Sequence, residues 1–179
     1  MKVEDEKRRK NLIISGIPKS DKHDVLSFKD CIVENLNLTR GFVDGILIDR
    51  TVRFPLTKFQ KGQDKHPDLL VTFCSLDEKL AVYTAARKIK PENVYFKEDF
   101  SKNVREIRKN LSAIMLNARK NKDVKAFLNF DKLVIEKNGK RNTYTFDLGK
   151  KEIQTIKTNF KYSLQGESED NTSDHSEVE

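Results

Sequence analysis

The residues of this sequence best suited to chemistry are cationic. Arg8, Arg9, Arg50, Arg53, Arg105, Arg108, Arg119 and Lys120 stand in or beside short apolar elements rather than scattered through polar linkers. A guanidinium is planar and presents five N–H donors, so it pairs with a phosphate through two parallel hydrogen bonds and also stacks on a base. Residues of this kind, taken as a set, point to a polyanionic partner. The charge balance agrees. The net charge is +7, but residues 164–179 hold six acids (Glu167, Glu169, Asp170, Asp174, Glu177, Glu179) and no Lys or Arg. The other 163 residues therefore set 35 basic groups against 22 acidic ones, a net +13. Such a body suits nucleic acid or an anionic membrane surface. The membrane reading is the weaker, because the cations sit on folded elements with no matching exposed apolar helix face. The acidic segment is expected to be disordered, and it either screens the basic body or simply solubilises it.

Catalytic chemistry finds little support. His23, His66 and His175 lie in polar surroundings with no His/Cys/Asp spacing suited to zinc, and no phosphate-binding loop or nucleophile elbow occurs. Asp49, or Glu98 with Asp99, would serve as metal ligands of a nuclease, but a neighbouring Arg and helix capping explain them equally well. No enzyme activity, cofactor or metal is expected. Cys31 and Cys74 read as reduced core residues of a cytoplasmic or nuclear protein, and Lys7–Lys10 (KRRK) is a weak nuclear-localisation match. No apolar stretch approaches the roughly 20 residues that cross a bilayer.

The elements that would position these cations follow from periodicity. Residues 1–10 form a charged leader. Asn11–Pro18 is a β-branched strand ended by Gly16 and Pro18. Asp21–Leu38 turns helical on Val25, Phe28, Ile32 and Leu36, with Asp21 or Asp24 as cap. Gly45–Phe54 is a second strand carrying Arg50 and Arg53, followed by a basic loop with Lys58, Lys61, Lys65 and His66. Asp68–Cys74 is a third strand. Ser75 opens a helix whose inner face reads Leu76, Leu80, Tyr83 and Ala86, and Val94–Phe100 is a fourth strand. The order β-α-β-β-α-β over residues 11–100 describes a ferredoxin-like, RNA-recognition-motif (RRM) type sandwich of the α+β class, with both helices on one sheet face. A second domain, 101–160, opens with a basic helix on Val104, Ile107, Leu111, Ile114 and Ala118. Strands at Ala126–Phe130, Leu133–Glu136 and Thr143–Phe146 follow, with a hairpin turn at Asn138-Gly139. A last helix on Ile153, Ile156 and Phe160 completes α-β-β-β-α, and residues 161–179 form the tail.

The usual RRM stacks bases on aromatics of its central strands. Here Asp68, Leu70 and Ile13 occupy those places, so affinity is expected to come from phosphate contacts. Tyr83 and Phe130 read as packing residues. Tyr95 is kept as a candidate stacking residue because strand alternation sets it opposite Val94 and Phe96. Arg105 and Arg108 are expected to share a helix face turned away from the Val104, Ile107 and Leu111 core and to line a cleft that grips single-stranded RNA or DNA.

The run Asn-Leu-Ile-Ile-Ser-Gly-Ile-Pro behind a Lys/Arg-rich segment, then Asp-Arg-Thr-Val-Arg, then a basic helix with Arg-Lys-Asn-Leu and Asn-Ala-Arg-Lys, resembles the first-open-reading-frame protein of LINE-type retrotransposons. The resemblance covers Arg8 to about Phe160. It implies an RRM domain and a C-terminal domain that together bind single-stranded RNA, with nucleic-acid chaperone activity and a part in assembling a ribonucleoprotein. It also marks Arg108 and Arg119 as the arginines of the family's basic helix. The region after Val94, with Lys132-Leu133-Val134-Ile135 and Asn138-Gly139, also resembles the C-terminal part of baculovirus few-polyhedra proteins and their insect relatives. Ten residues before the first strand are too few for two heptads of the family's coiled coil, so a monomer is expected. The alternative in another class is a protein-interaction module, or few-polyhedra-like accessory protein, using the aromatic-free sheet face.

Overall fold

The computed structural model describes residues 3–20, 22–56 and 66–159. Lys58, Lys61 and Lys65 of the expected basic loop, the alternative cap Asp21, Phe160 and the acidic segment lie outside the described residues. The chain is α+β and divides into two units, Met1–Ser101 and Lys102–Glu179, each with one antiparallel sheet.

Unit 1 runs α1 (Val3–Arg8), β1 (Asn11–Ser15), α2 (Asp24–Leu36), α3 (Arg40–Gly45), β2 (Ile48–Arg53), β3 (Leu69–Phe73), α4 (Leu76–Ile89), β4 (Tyr95–Glu98). The strands pair antiparallel in the order β2-β3-β1-β4. Because side chains alternate across a strand, Leu12 and Ile14 of β1 share one face with Leu69, Val71 and Phe73 of β3. That face packs on Phe28, Ile32 and Leu36 of α2 and on Val82 and Ala86 of α4. Phe28 and Phe73 meet edge to face at 5.8 Å between centroids; burying side chains of this size contributes about 1.5–3 kcal/mol each. At the end of β1 the chain turns through Gly16 at φ +96°, where a Cβ would run into the Asn93 carbonyl.

Three local expectations for unit 1 are corrected. α2 is capped by His23, whose Nδ1 accepts from the Val25 N–H at 3.4 Å, and not by Asp24, which starts the helix. The second strand is shorter than residues 45–54, because Thr39 caps a turn of helix, α3, that holds the chain until Gly45. The inner face of α4 is Lys79, Val82 and Ala86, while Leu80 is exposed. Lys79 is only 3% exposed. Its ammonium donates to Glu98 Oε1 at 2.7 Å and stands 5.2 Å from the Tyr83 ring centroid. A lysine stem buries like an aliphatic chain once its charge is met.

Unit 2 places α5 (Lys102–Ala118) over the meander β5 (Val124–Asn129), β6 (Lys132–Lys137), β7 (Lys140–Asp147), β8 (Glu152–Lys157). Leu111 and Ala118 pack on Val124, Ala126, Leu133, Ile135 and Tyr144. Asn138 (φ 50°) and Gly139 (φ 74°) join the paired Lys137 and Lys140, the two left-handed residues that a tight type I′ hairpin requires.

The expected final helix is a strand, so the unit is α-β-β-β-β rather than α-β-β-β-α. Asp147 Oδ1 accepts from the backbone N–H groups of Gly149 and Lys150, and Lys151 adopts φ 55°. This turn reverses the chain and sends Ile153, Thr155 and Ile156, all β-branched, along the open edge of β7. The Ile153–Ile156 spacing looked helical, but the unpaired backbone groups of β7 offered a ladder instead.

Both cysteines are free, and Cys74 is exposed rather than in the core. Burial, with the Glu34 charge adding, pushes the Cys31 thiol up to about 11 against an opposing Asn35 hydrogen bond. Alkylation of the native protein near pH 8 should therefore modify Cys74 and spare Cys31 until denaturant is added, as read by mass spectrometry. A second expectation concerns acid stability. The backbone N–H groups of Lys150 and then Gly149 hold the Asp147 carboxyl below its usual range. A lowered folded-state value contributes stability above the unfolded value, near 3.9, that is lost as pH falls through the folded one. Asp147→Asn should lower the thermal midpoint at pH 7, and the gap to the parent should close as the pH drops below about 4.

Candidate nucleic-acid interface

In unit 1 the sheet face turned away from α2 and α4 is organised in rows across the strands. One row is apolar at its centre, running Lys97, Ile13, Leu70, Val52. No aromatic stands in it, as expected from the identities of Ile13 and Leu70. The neighbouring row is a chain of hydrogen bonds. Arg8 Nη1 reaches both oxygens of Asp99 at 2.8 and 3.0 Å, and Asn11 Nδ2 donates to Asp99 Oδ2 at 2.9 Å. Thr72 Oγ1 donates to Asn11 Oδ1 at 2.9 Å, and Arg50 Nε lies 3.5 Å from Thr72 Oγ1. Desolvation pulls the Arg8 pKa down, but the charge and hydrogen bond of Asp99, then Glu4, raise it overall. Tyr95 is 58% exposed, pairs with Ser15 across the sheet, and points opposite the core residue Phe96, as alternation predicts.

The arginines of unit 1 thus separate into kinds. Arg53 is a clamp: Nε donates to Asp24 Oδ1 at 2.7 Å, Nη1 to the Ile17 and Pro67 carbonyls, and Nη2 to the Pro18 carbonyl. It ties the end of β2 to the β1–α2 turn, its side chain is 11% exposed, and four of its five N–H donors are spent on these contacts. Arg8 is engaged with Asp99 and Glu4. Arg9 is exposed with a long 3.6 Å pair to Glu6, and Arg50 is exposed with no ion pair among the described residues.

In unit 2 the helix α5 has two unlike sides. Val104, Leu111 and Ala118 are buried. At 100° per residue, Lys102, Arg105, Lys109, Ala113 and Leu116 fall on the opposite side, and all five are exposed. Past the helix, Arg119, Lys120 and Lys122 are also exposed. These six cations have only Glu106 and Asp123 for acidic company between 102 and 122 and the next residue, and none makes an ion pair among the described residues.

Arg108 is not on the outer side. It sits four residues after Val104 and three before Leu111, which is the buried stripe, and its Nη1 donates to the Phe130 carbonyl at 2.6 Å. That carbonyl belongs to a residue at φ 53° in the β5–β6 turn, so Arg108 braces the helix against a strained turn. The expectation that Arg108 shares a solvent-facing side with Arg105 is therefore corrected. Arg119 is exposed, and its Nε donates to the Ala126 carbonyl at 2.7 Å on the edge strand β5. Lys102, Lys109 and Lys122 were not singled out from the sequence as site residues. The angular position of Lys102 and Lys109, opposite Val104 and Leu111, is the signal that finds them.

No protein-family model matches the chain, and no curated protein is significantly similar to it. The site therefore rests on its own geometry. Of the acids that could serve as metal ligands in unit 1, Asp99 is engaged by Arg8 and Asn11 and Glu98 by Lys79, while Asp49 is exposed on β2. Among the described residues, no group of three or more His, Cys, Asp or Glu is placed to hold a metal, and no helix is long and apolar enough to cross a membrane.

This sorting separates substitutions by effect. Arg53→Ala and Arg108→Ala should each destabilise the protein by about 1.5–3 kcal/mol, the usual worth of hydrogen bonds to a charged group. Arg105→Ala and Lys109→Ala should stay within about 0.5 kcal/mol. Urea unfolding of the four variants checks both halves.

Proposed function

We propose that this protein binds single-stranded RNA without catalysing a reaction, holding the phosphate backbone through α5 and the turn that follows it. The observation that carries the reading is the outer side of α5, where Lys102, Arg105 and Lys109 line up and Arg119, Lys120 and Lys122 continue the positive surface, with no ion pair among the described residues. Unpaired cations are the part of a nucleic-acid interface that supplies affinity, since each phosphate neutralised releases counterions. Leu116, 59% exposed on the same helix side, offers an apolar contact for a base or ribose.

Unit 1 fits the same reading as a ferredoxin-like, RRM-type module that has lost its stacking platforms. The strand order β2-β3-β1-β4 and the element order around it support that arrangement. With Ile13 and Leu70 where aromatics would stack, the sheet contributes little base recognition, and Arg50, Lys97 and Tyr95 at its margins are its available contacts. The resemblance to the retrotransposon first-reading-frame proteins extends the proposal to a role in ribonucleoprotein assembly and strand chaperoning, in the cytoplasm or nucleus. A second reading, docking of a partner protein on the sheet, is favoured by the Ile13, Leu70, Val52 row, whose last member is 43% exposed.

Titrating the full chain with mixed-sequence single-stranded RNA tests the proposal. Log affinity should fall linearly with log salt, with a slope near −0.7 for each phosphate contacted, and should differ little between sequences. Arg105→Ala with Lys109→Ala should flatten that slope by about 1 to 2. Absence of binding at low salt, or tight binding to one short sequence that persists at high salt, would overturn the reading.

A further inference from the structure

We infer that the acidic C-terminal segment, residues 164–179, is a competitor built into the chain that occupies the outer side of α5 when no nucleic acid is present. The inference rests on the reading of that surface as an RNA contact and adds its regulation.

Charge complementarity is the first support. Lys102, Arg105, Lys109, Arg119, Lys120 and Lys122 are exposed without ion pairs among the described residues. The segment carries six acids, Glu167, Glu169, Asp170, Asp174, Glu177 and Glu179, and no Lys or Arg. Cations elsewhere in unit 2 are already partly matched: Arg141 pairs with Glu136, and Lys150 lies 3.8 Å from Glu152. Lys125, Lys132, Lys140, Lys151 and Lys157 are also exposed without an ion pair among the described residues, but they are spread over the four strands and their turns, whereas α5 and the turn after it gather six such cations within residues 102–122.

Tethering is the second support. β8 ends at Lys157 within unit 2, and the chain beyond it can extend roughly 3.3 Å per residue, or about 70 Å to Glu179. A folded unit of this size has a radius of gyration of only about 10 Å. The segment thus reaches any side of its own unit. A segment joined by so few residues to the unit it meets acts on it at an effective concentration in the millimolar range. Exposed charges interact weakly one pair at a time and are screened by salt. The segment would accordingly set a threshold: isolated or short polyanions meet a competitor, while a long RNA that engages many cations at once displaces it.

The test uses the full chain and a variant with Glu167→Gln, Glu169→Gln, Asp170→Asn, Asp174→Asn, Glu177→Gln and Glu179→Gln. Without nucleic acid and at low salt, backbone amide NMR signals of Lys102, Arg105, Lys109, Lys120 and Lys122 should differ between parent and variant. Raising the salt of the parent should move them toward the variant positions. A synthetic peptide of residues 164–179 added to the variant should move them back. With a short single-stranded RNA at low salt, the variant should bind three- to ten-fold more tightly than the parent, and the advantage should shrink as salt rises. Spectral differences confined to the segment itself, with no response to the peptide, would overturn the inference. If neither chain binds RNA but the α5 signals respond, docking stands and the RNA reading falls; if both bind RNA equally and α5 is silent, the RNA reading stands and the competitor falls.

Discussion

Both units are governed by the same constraint, that a β-sheet has two faces and a single layer of helices covers one. In unit 1 the alternation of β1 and β3 sends Leu12, Ile14, Leu69, Val71 and Phe73 toward α2 and α4, leaving Asn11, Ile13, Leu70 and Thr72 on the other side. In unit 2 the same alternation sends Val124, Ala126, Leu133, Ile135 and Tyr144 toward α5. Register follows from this, because a slip of one residue would exchange every core-facing side chain for a neighbour from the other face. Once register is set, the placement of each cation is set with it. Arg53 lies opposite Leu69, on the core-side row, and so meets the β1–α2 turn instead of solvent. Arg50 lies opposite Thr72, on the uncovered row.

A second constraint sorts the cations further. A charge withdrawn from water must be met by carboxylates or carbonyls, and an arginine with a planar fork of donors is suited to meeting several at once. Arg53 holds three carbonyls and a carboxylate, Arg108 a carbonyl and Lys79 a carboxylate. These residues spend their donors on the fold. What is left exposed on α5 and the turn after it is the set that packing did not recruit, and it contains more lysines than arginines. The positive charge of this chain is therefore part scaffold and part uncompensated surface. Its net charge alone does not show the division.

The polar row Arg8, Asp99, Asn11, Thr72 and Arg50 links strand ends that are far apart in sequence. Asn11 is 5% exposed, so its amide would be costly to bury without these partners. The row supplies them.

Much of the architecture was legible from local pattern. Strands β1, β3 and β4, helices α2, α4 and α5, and the Asn138-Gly139 hairpin follow from β-branched runs, three-four spacing and the demand of a tight turn for left-handed residues, all of which act over a few neighbours. The identities of Ile13 and Leu70 likewise leave that row of the sheet without an aromatic. Three things depended on distant groups. Ile153 and Ile156 are compatible with helix or strand, and the open edge of β7 decided for strand. Lys79 reads as a surface residue until Glu98 and Tyr83 arrive to accept its charge. Arg108 reads as a surface cation until the Phe130 carbonyl stands 2.6 Å from it. Sequence spacing determines which residues share a side of an element. Only the tertiary structure decides which charged residues on that side find partners, because a buried charge is tolerated or expelled according to donors and acceptors brought from elsewhere in the chain.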